Sequence, residues 1–416
     1  MGKFITEIES EAAWKEFREY KSCHGHMSNR DMAVLDEFIS EKGYLRVTES
    51  IKKALTGTGT GLSLPQKKVL NKSGTRKKRT VYCFEQDETW VLRLILFLLY
   101  RYNSAISPAC YSFRVDYTAK KAISAIRRIP ALDSRYVLKL DIHDYFNSIP
   151  PEKLAGVLRG VISDDEELLT FLIRVISSGR ARQGEETVSE PMGAMAGVPL
   201  SAFFADIYLS DMDEAFLSRG IPYFRYSDDI IVFTETEEER NEAKNLITAF
   251  LTEKGLELNP EKTALSDPGA PWEFLGFRYQ NGDIDLSDVT VQKIKAKIRR
   301  KAKALYRWRC RKNADFRHTA GVMIRVFNRK FYDFDGLNEF TWSRWFFPCI
   351  TVPDGLYEID AYMVEYLRYL NSGRHYKGNY RITYDELKEL GYHSLVHEYY
   401  KGKENDTPEQ TGGTIR

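Results

Sequence analysis

The stretch of sequence that decides the fold is Tyr223-Phe-Arg-Tyr226-Ser-Asp228-Asp229-Ile-Ile-Val-Phe233. Two apolar runs flank a short polar turn, which is the pattern of a β-hairpin. The paired acids lie at the tip of that hairpin, with apolar residues on both sides. A carboxylate beside buried β-structure is costly unless a positive charge neutralises it. The hairpin therefore predicts a site that gathers cations.

A second strand that ends in an acid lies upstream, at Tyr136-Val-Leu-Lys-Leu-Asp141. Clustered carboxylates can hold two Mg²⁺ ions together with substrate phosphates, and such a pair serves in-line phosphoryl transfer. We therefore expect two Mg²⁺ ions as cofactors, held by Asp141, Asp228 and Asp229. An exposed Asp-Asp turn is the plain alternative, and the upstream strand argues against it.

Length and composition limit the class of protein. The chain has 416 residues, 43% of them apolar and 29% charged, with a net charge of +2. This composition excludes a wholly disordered chain and leaves room for two or three domains. The longest apolar run, residues 91–100, is about half of the roughly 20 residues that a membrane helix needs. We expect a soluble protein with no membrane contact, and the five scattered cysteines favour a cytoplasmic location.

Basic residues concentrate in two segments. Residues 65–84 hold seven Lys and Arg and no acid, around Gly74, which indicates a basic β-hairpin. Residues 290–312 have helical spacing, with basic residues on more than one face and aromatic residues between them. Lys and Arg bind the phosphates of nucleic acid, and aromatic rings stack on its bases. The alternative is that this helix only presents a solvated surface. The predicted nucleic-acid contacts of this helix are Lys293, Lys297, Arg300, Lys301, Tyr306 and Trp308.

Around these acids, the sequence resembles the reverse transcriptase family. The segment Tyr226-Ser-Asp-Asp229 is similar to the YxDD hairpin of that family, and other motifs follow in the family order. They lie at residues 139–149, 193–209, 255–263 and 273–277, with finger-like motifs at residues 72–84 and 111–114. The resemblance covers roughly residues 60–310. One departure is Met195-Ala-Gly197, where many members of the family have Pro-Gln-Gly.

The resemblance implies an α+β right-hand polymerase fold, with fingers, a palm of antiparallel sheet plus helices, and a mostly helical thumb. We expect an N-terminal helical extension at residues 1–60 and fingers, with part of the palm, at residues 61–135. The palm, with the catalytic hairpin and a primer grip, spans residues 136–286. A basic helical thumb and C-terminal region spans residues 287–402, and residues 403–416 form a disordered tail.

The family roles transfer to matching positions of this chain. Asp141 and Asp228 would hold the two ions, and Asp229 would assist. Phe146 occupies the position of an aromatic gate that excludes the ribose 2′-OH, with core packing as the alternative. Lys262 matches a residue that can protonate the leaving pyrophosphate, with an exposed loop lysine as the alternative. The implied nucleotide contacts are Ile142, Phe146, Arg79, Lys72, Arg114, Gly197 and Lys262, and the primer-grip contacts are Phe274 and Gly276.

The implied activity is RNA-directed DNA polymerisation, with dNTPs as substrates, a non-coding RNA as template and cDNA as product. The chain is most similar to the defence-associated, or unknown-group, single-gene bacterial enzymes, which copy a structured RNA and protect against phage. A retron, group II intron-type or diversity-generating reverse transcriptase stays open. Two further functions also stay open, that of a non-catalytic, maturase-like RNA-binding protein and that of a template-independent terminal DNA polymerase. The sequence indicates neither the primer nor the oligomeric state.

Overall fold

A computed structural model describes residues 2–24, 27–59, 61–71, 78–190, 193–333 and 341–405. The chain divides into two compact units, Met1–Pro268 and Gly269–Arg416. The boundary falls inside the range that the sequence assigns to the palm. Of the predicted tail, residues 406–416 lie outside the described residues. Lys72, a predicted nucleotide contact, also lies outside them.

The N-terminal unit combines helices with two sheets. Its helices are α1 (Lys3–Glu9), α2 (Glu11–His24), α3 (Asn29–Ser40), α4 (Tyr44–Leu55), α5 (Gln86–Leu99), α6 (Ala119–Ile126), α7 (Tyr145–Ser148), α8 (Pro151–Val161), α9 (Glu166–Ile176), α10 (Ser201–Tyr208), α11 (Ser210–Leu217) and α12 (Glu237–Lys254). Its strands are β1 (Gln66–Asn71), β2 (Lys78–Cys83), β3 (Tyr136–Asp141), β4 (Arg180–Gln183), β5 (Glu186–Ser189), β6 (Tyr223–Tyr226), β7 (Asp229–Thr234) and β8 (Ala264–Ser266). Helices α1 to α4 fill most of the N-terminal segment predicted to be helical.

An antiparallel sheet with the strand order β6-β7-β3-β8 carries the acids. The apolar runs read from the sequence become its strands, and Leu138, Leu140, Ile230 and Val232 are completely buried. Helix α12 packs against β3 and β7. A capping box at its start and left-handed Gly255 at its end fix its length.

The other sheet has the order β2-β1-β4-β5. Strands β1 and β2 pair along their whole length, from Gln66 opposite Cys83 to Asn71 opposite Lys78. This confirms the basic hairpin predicted for residues 65–84. The connection between the two strands lies outside the described residues.

The C-terminal unit is mainly helical. Its strands are β9 (Trp272–Phe274), β10 (Phe277–Gln280) and β11 (Asp283–Leu286), and its helices are α13 (Asp288–Lys312), α14 (Phe316–Phe331), α15 (Trp342–Trp345), α16 (Asp354–Ser372), α17 (Tyr384–Glu389) and α18 (Leu395–Asn405). The sequence predicts one strand over residues 272–279, and this is wrong. Leu275 and Gly276 both have positive φ and turn the chain between β9 and β10, because a two-residue hairpin turn requires such backbone angles.

Within the described residues, every helix falls short of the length or the apolar character that crossing a bilayer requires.

Candidate active site

The three predicted acids come together at one end of the antiparallel sheet. Asp141, the last residue of β3, lies directly opposite Asp229, the first residue of β7. Asp228 occupies the loop just before β7, and its carbonyl oxygen accepts the backbone N–H of Ile142 at 3.0 Å. The cross-strand register therefore brings together acids that are 87 and 88 residues apart in sequence.

The loop that presents Asp228 is a tight two-residue turn. Tyr226 pairs with Asp229, so only Ser227 and Asp228 connect β6 to β7. Ser227 has a φ of 59°, in the left-handed region that favours glycine. Such a residue costs of order 1–3 kcal/mol and persists only where its surroundings hold it.

Burial and mutual repulsion make the acids difficult to ionise together. Burial, followed by the charge of Asp141, raises the pKa of Asp228 above its ordinary value. Burial, followed by the charge of Asp228, raises the pKa of Asp229 to about 6. A cation at this position would remove both penalties, because it replaces the lost hydration and screens the repulsion.

Asp141 already has positive and polar partners. Its side chain is 5% exposed. The ammonium group of Lys262 forms a salt bridge with Oδ2, and the amide of Asn259 donates to Oδ1 at 3.3 Å. Lys262 thus lies beside the clustered acids, and its role toward the leaving pyrophosphate stays a prediction.

The donor set fits divalent metal ions. In the described part of the chain, no three acidic, histidine or cysteine side chains already converge as a metal cage. The carboxylates are nevertheless hard oxygen donors of the kind that Mg²⁺ prefers. Burial and mutual repulsion raise the pKa values of Asp228 and Asp229 despite the nearby charge of Lys262, so a bound cation would favour their ionised forms. Asp141, Asp228 and Asp229 are the residues that would hold Mg²⁺.

Phe146 lies close to this corner, five residues beyond Asp141. Its ring is half-buried and lies edge-on to Phe113, with ring centroids 6.2 Å apart. Phe113 in turn lies 6.4 Å from Tyr226 of the hairpin. The partial exposure leaves part of the Phe146 ring available to a ligand, so the gate assignment stays a prediction alongside core packing.

Three other predicted nucleotide contacts lie near the acids or near the basic hairpin. Arg79 is exposed on β2, and its charge lowers the pKa of Asp228, against the larger effect of burial. Gly197 has a φ of 100°, and a Cβ there would come within 3.0 Å of the carbonyl oxygen of Tyr82. Ile142 has a buried side chain, so only its backbone is available to act at the site.

The nucleotide contact predicted for Arg114 is corrected, because its guanidinium binds other groups of the protein. The group is nearly buried and donates to the carbonyl oxygens of Ser107, at 2.9 Å, and of Cys110. It also lies over the ring of Tyr117, 3.5 Å from its centroid. The structure gives Arg114 the role of holding the residues before it, rather than that of a nucleotide contact.

Sequence reasoning missed a buried polar network beneath the hairpin. Ser112 Oγ donates to Asp206 Oδ1 at 2.6 Å and accepts the backbone N–H of Ser227 at 2.9 Å. The thiol of Cys110 donates to the same Asp206 oxygen at 3.3 Å. Burial raises the pKa of Asp206 to about 6. The signal was an acid inside the apolar run 203–209, since a buried carboxylate needs partners.

A buried ion pair adjoins this network. Arg225 and Asp213 are both fully buried and make two hydrogen bonds, Nε to Oδ1 at 2.8 Å and Nη2 to Oδ2 at 2.6 Å. Arg225 also donates to the backbone oxygen of Asp206 at 2.9 Å. An arginine between Phe224 and Tyr226 was the signal for this pair.

Helix α13 carries the predicted nucleic-acid contacts of the C-terminal unit. Val291, Ile294, Ile298 and Ala302 form its buried face. Lys293 and Arg300 are exposed, whereas Lys297, Lys301 and Trp308 are half-buried. The basic side chains with the greatest exposure therefore lie away from the core.

Tyr306, Phe274 and Gly276 have structural surroundings within the C-terminal unit. The hydroxyl of Tyr306 donates to the carbonyl oxygen of Ser372 at 3.0 Å. Phe274 is completely buried, and Gly276 forms the turn between β9 and β10. A buried ring cannot contact a primer directly, so for Phe274 the predicted contact is corrected to core packing.

Comparison with known proteins agrees with this geometry. Residues 69–279 match the family model described as reverse transcriptase (RNA-dependent DNA polymerase). Retron Ec86 reverse transcriptase of Escherichia coli is 24% identical over 261 residues, which cover 61% of this chain and 72% of that protein. Retron Mx65 reverse transcriptase of Myxococcus xanthus is 24% identical over 208 residues. That alignment covers 48% of this chain, which spans about half the length of the Myxococcus relative (47%).

Two solved structures share a weaker likeness. Apo telomerase from Candida tropicalis has a TM-score of 0.46 at 12% identity, over 85% of this chain and 65% of that chain. Telomerase from Candida albicans, in complex with a fragment of telomeric RNA, has a TM-score of 0.43 at 14% identity, over 82% and 66%. At these values the likeness adds nothing to the family assignment.

The family model spans half of the chain and includes the acid-bearing hairpin, the strand that ends in Asp141 and the turn at Gly197. The architecture of antiparallel sheets and packed helices agrees with the predicted α+β right-hand polymerase fold. The chain belongs to the reverse transcriptase family, whose members are RNA-dependent DNA polymerases.

Proposed function

We propose that this protein makes cDNA from a structured non-coding RNA, using dNTPs and two Mg²⁺ ions, and that it acts in antiphage defence. The observation that carries the polymerase function is the convergence of Asp141, Asp228 and Asp229 at one corner of the sheet. When bound, the metal ions would activate the attacking 3′-oxygen and stabilise the leaving oxygen. The defence role rests on the sequence resemblance alone.

We assign a separate role in nucleotide transfer to each of the other site residues. Asp141 and Asp228 hold the metal ions, and Asp229 supports them. Arg79, exposed on the basic hairpin, pairs with the triphosphate. Lys262 lies beside Asp141 and is 45% exposed, so its ammonium group can reach solvent and donate a proton to the leaving pyrophosphate.

Sequencing the nucleic acids that the protein carries tests this proposal. The protein would be immunoprecipitated from cells, and its bound RNA and cDNA would be sequenced together. One structured RNA with matching cDNA is expected. Homopolymeric or random DNA would point to a template-independent polymerase, and bound RNA without any cDNA would point to a maturase-like protein.

The defence role has its own test. A plasmid that carries the gene with its flanking DNA is expected to reduce phage plating, and the same plasmid with Asp141→Ala is expected not to. If neither plasmid changes plating across a phage panel, the defence role fails and a retron-like, intron-derived or diversity-generating role becomes the better explanation.

Phe146→Ala is expected to let ribonucleotides compete with deoxyribonucleotides. Loss of the half-buried ring would open space for a 2′-OH. The quantity to measure is the kcat/KM for a dNTP divided by that for the matching rNTP, and we expect it to fall about tenfold or more, equivalent to about 1.4 kcal/mol. Phe146→Tyr keeps the ring and should keep the ratio. An unchanged ratio in Phe146→Ala would assign the ring to core packing.

Ser112→Ala is expected to lower kcat about tenfold while the KM for dNTP changes little. The substitution leaves the backbone N–H of Ser227 without its buried acceptor, at a cost of about 1–3 kcal/mol, and loosens the turn that presents Asp228. Cys110→Ala is the matched control, because Cys110 contacts the same Asp206 oxygen and not Ser227. Equal losses of kcat in both variants would contradict a specific effect on the turn, and Ser112→Thr should restore kcat.

A further inference from the structure

The C-terminal unit contains a large open groove that lies outside the set of predicted site residues. Helix α16, the turn Lys377–Arg381 and helices α17 and α18 contribute to its walls. Its volume is about 1110 Å³, at or above the upper end of the roughly 300–1,000 Å³ typical of small-molecule pockets. None of the predicted site residues lines it. Any ligand of this groove would therefore bind through other residues.

Exposed tyrosines are concentrated in this groove. Among the described residues, the tyrosines with the most exposed side chains are Tyr357, Tyr376, Tyr380, Tyr384 and Tyr400, at 37–66% exposure. All five line the groove. Single exposed aromatic residues need no explanation, but a contiguous group marks an interaction site.

The positive groups of the groove are available to an anion. Lys377 is exposed and makes no ion pair with a described residue. Arg368 is held in place, because its Nε donates to the carbonyl oxygen of Ile382 at 3.0 Å. Its guanidinium lies 4.9 Å from the ring centroid of Tyr380, which places a cation beside one of the most exposed rings.

The acids of the groove are engaged within the protein. Asp360 accepts hydrogen bonds from the hydroxyls of Tyr392, at 2.8 Å, and Ser394, at 2.6 Å, and from the backbone N–H groups of Leu395 and Val396. Glu365 lies 2.6 Å from Nδ1 of His375. Asp360 is thus satisfied locally and Glu365 contacts His375, while Lys377 and Arg368 are the groups that an anionic partner would pair with.

Exposed rings with nearby cations match the way that proteins bind an unpaired nucleic-acid strand. Bases stack on aromatic rings, and the backbone phosphates pair with Lys and Arg. A duplex cannot bind in this way because its base faces are already stacked on each other. A proline-rich peptide also binds aromatic grooves, but a neutral peptide would leave Lys377 and Arg368 without a role.

We propose that this groove binds an unpaired segment of RNA, by stacking bases on Tyr376 and Tyr380 and pairing phosphates with Lys377 and Arg368. The choice of RNA rests on the proposed function, since a polymerase that copies RNA must accommodate template that is not yet paired. The groove would give the protein a second hold on its template, distinct from the acids of the catalytic hairpin.

The test measures the binding of fluorescent oligo(U) RNA of about 12 nucleotides to the full chain, without dNTPs or metal. Tyr376→Leu with Tyr380→Leu is expected to weaken affinity at least tenfold, because each stacked base contributes roughly fivefold or more. Tyr376→Phe with Tyr380→Phe keeps both rings and should stay within about threefold of wild type. Lys377→Gln should make the salt dependence shallower by about one counterion.

Several outcomes would overturn the proposal. They are unchanged affinity in the Leu pair, equal losses in the Leu and Phe pairs, and tighter binding of oligo(dT) or of a proline-rich peptide than of oligo(U). A 4-thiouridine version of the RNA should crosslink within residues 374–400, and crosslinks only elsewhere would also overturn it. Primer extension by the same wild-type preparation reports the polymerase function separately, so the two proposals can fail independently.

Discussion

Replacing Asp228 with Asn is expected to abolish DNA synthesis while the protein stays folded. The amide keeps the shape of the side chain but removes the charge that would hold a divalent ion. A loss of about 4 kcal/mol of transition-state stabilisation corresponds to roughly a 10³-fold lower rate. The measurement is Mg²⁺-dependent incorporation of dNTPs on a primed RNA template.

Asp116→Asn is the matched control for this substitution. Asp116 is exposed, and its Oδ1 lies 3.7 Å from Nζ of Lys121. Its replacement makes the same chemical change and should leave DNA synthesis unaltered. If Asp228→Asn kept wild-type synthesis, the assignment of the catalytic corner would be wrong.

The same substitution is expected to stabilise the metal-free protein at neutral pH. Burial and the charge of Asp141 raise the pKa of Asp228 in the folded state, whereas the unfolded value is about 3.9. The folded state therefore holds the proton more tightly, and its stability falls as pH rises from about 4 through the folded pKa. Asp228→Asn removes this penalty.

Thermal unfolding in EDTA checks the sign of this effect. At about pH 7.5 the Tm of Asp228→Asn should exceed that of the wild type, and at about pH 4 the difference should disappear. Adding Mg²⁺ should raise the Tm of the wild type and leave the variant nearly unchanged. A lower Tm in the variant at neutral pH would mean that Asp228 is needed for folding.

The sequence was sufficient where local signals agreed with each other. The hairpin at Tyr226 and Asp229 was predictable because apolar strands flank a turn too short for any other arrangement. Helix α12 was predicted with its observed bounds, since Thr236 begins a capping box and Gly255 ends the helix in the left-handed conformation.

The sequence was insufficient where a short turn interrupts an apolar pattern. The apolar spacing of residues 151–178 predicts helical structure throughout, but α8 ends at Val161 and α9 begins at Glu166. Asp165 accepts the N–H of Leu168 and caps the second helix. Apolar periodicity continues across this break, so periodicity alone could not reveal it.

The roles of the polar residues depended on tertiary contacts that sequence spacing does not carry. Arg114 and Arg79 are both basic residues in finger-like motifs, yet one is nearly buried against carbonyl oxygens and the other is exposed. The partners of Arg225 and Ser112 lie 12 and 94 residues away in sequence. Only the fold reveals that both residues hold the turn at Ser227.

Arg225→Met is expected to destabilise the protein by about 3–5 kcal/mol, because it leaves the buried Asp213 carboxylate without its counter-charge. Among the described residues, the other side-chain partner of Asp213 is the hydroxyl of Tyr223, which donates at 2.8 Å. The measurement is the urea midpoint of the full chain, compared with that of the wild type.

Arg18→Met is the matched control for burial. Arg18 makes a similar two-bond contact with Asp36, at 2.9 and 3.2 Å, but both side chains are more than two-fifths exposed. An exposed pair contributes about 0–1 kcal/mol, so this variant should unfold near the wild-type midpoint. Equal effects of Arg18→Met and Arg225→Met would contradict the argument from desolvation.

Combining Arg225→Met with Asp213→Asn separates the stability of the pair from its effect on the catalytic turn. No charge is then left buried, so most of the lost stability should return. DNA synthesis should stay about tenfold or more below wild type, because Met cannot donate to the backbone oxygens of Asp206 and Ser227 that Arg225 holds at 2.9 and 3.4 Å. Recovery of both stability and synthesis would mean that the pair only neutralises buried charge. Recovery of stability alone would mean that a buried arginine fixes the strained turn from which Asp228 reaches the metal site.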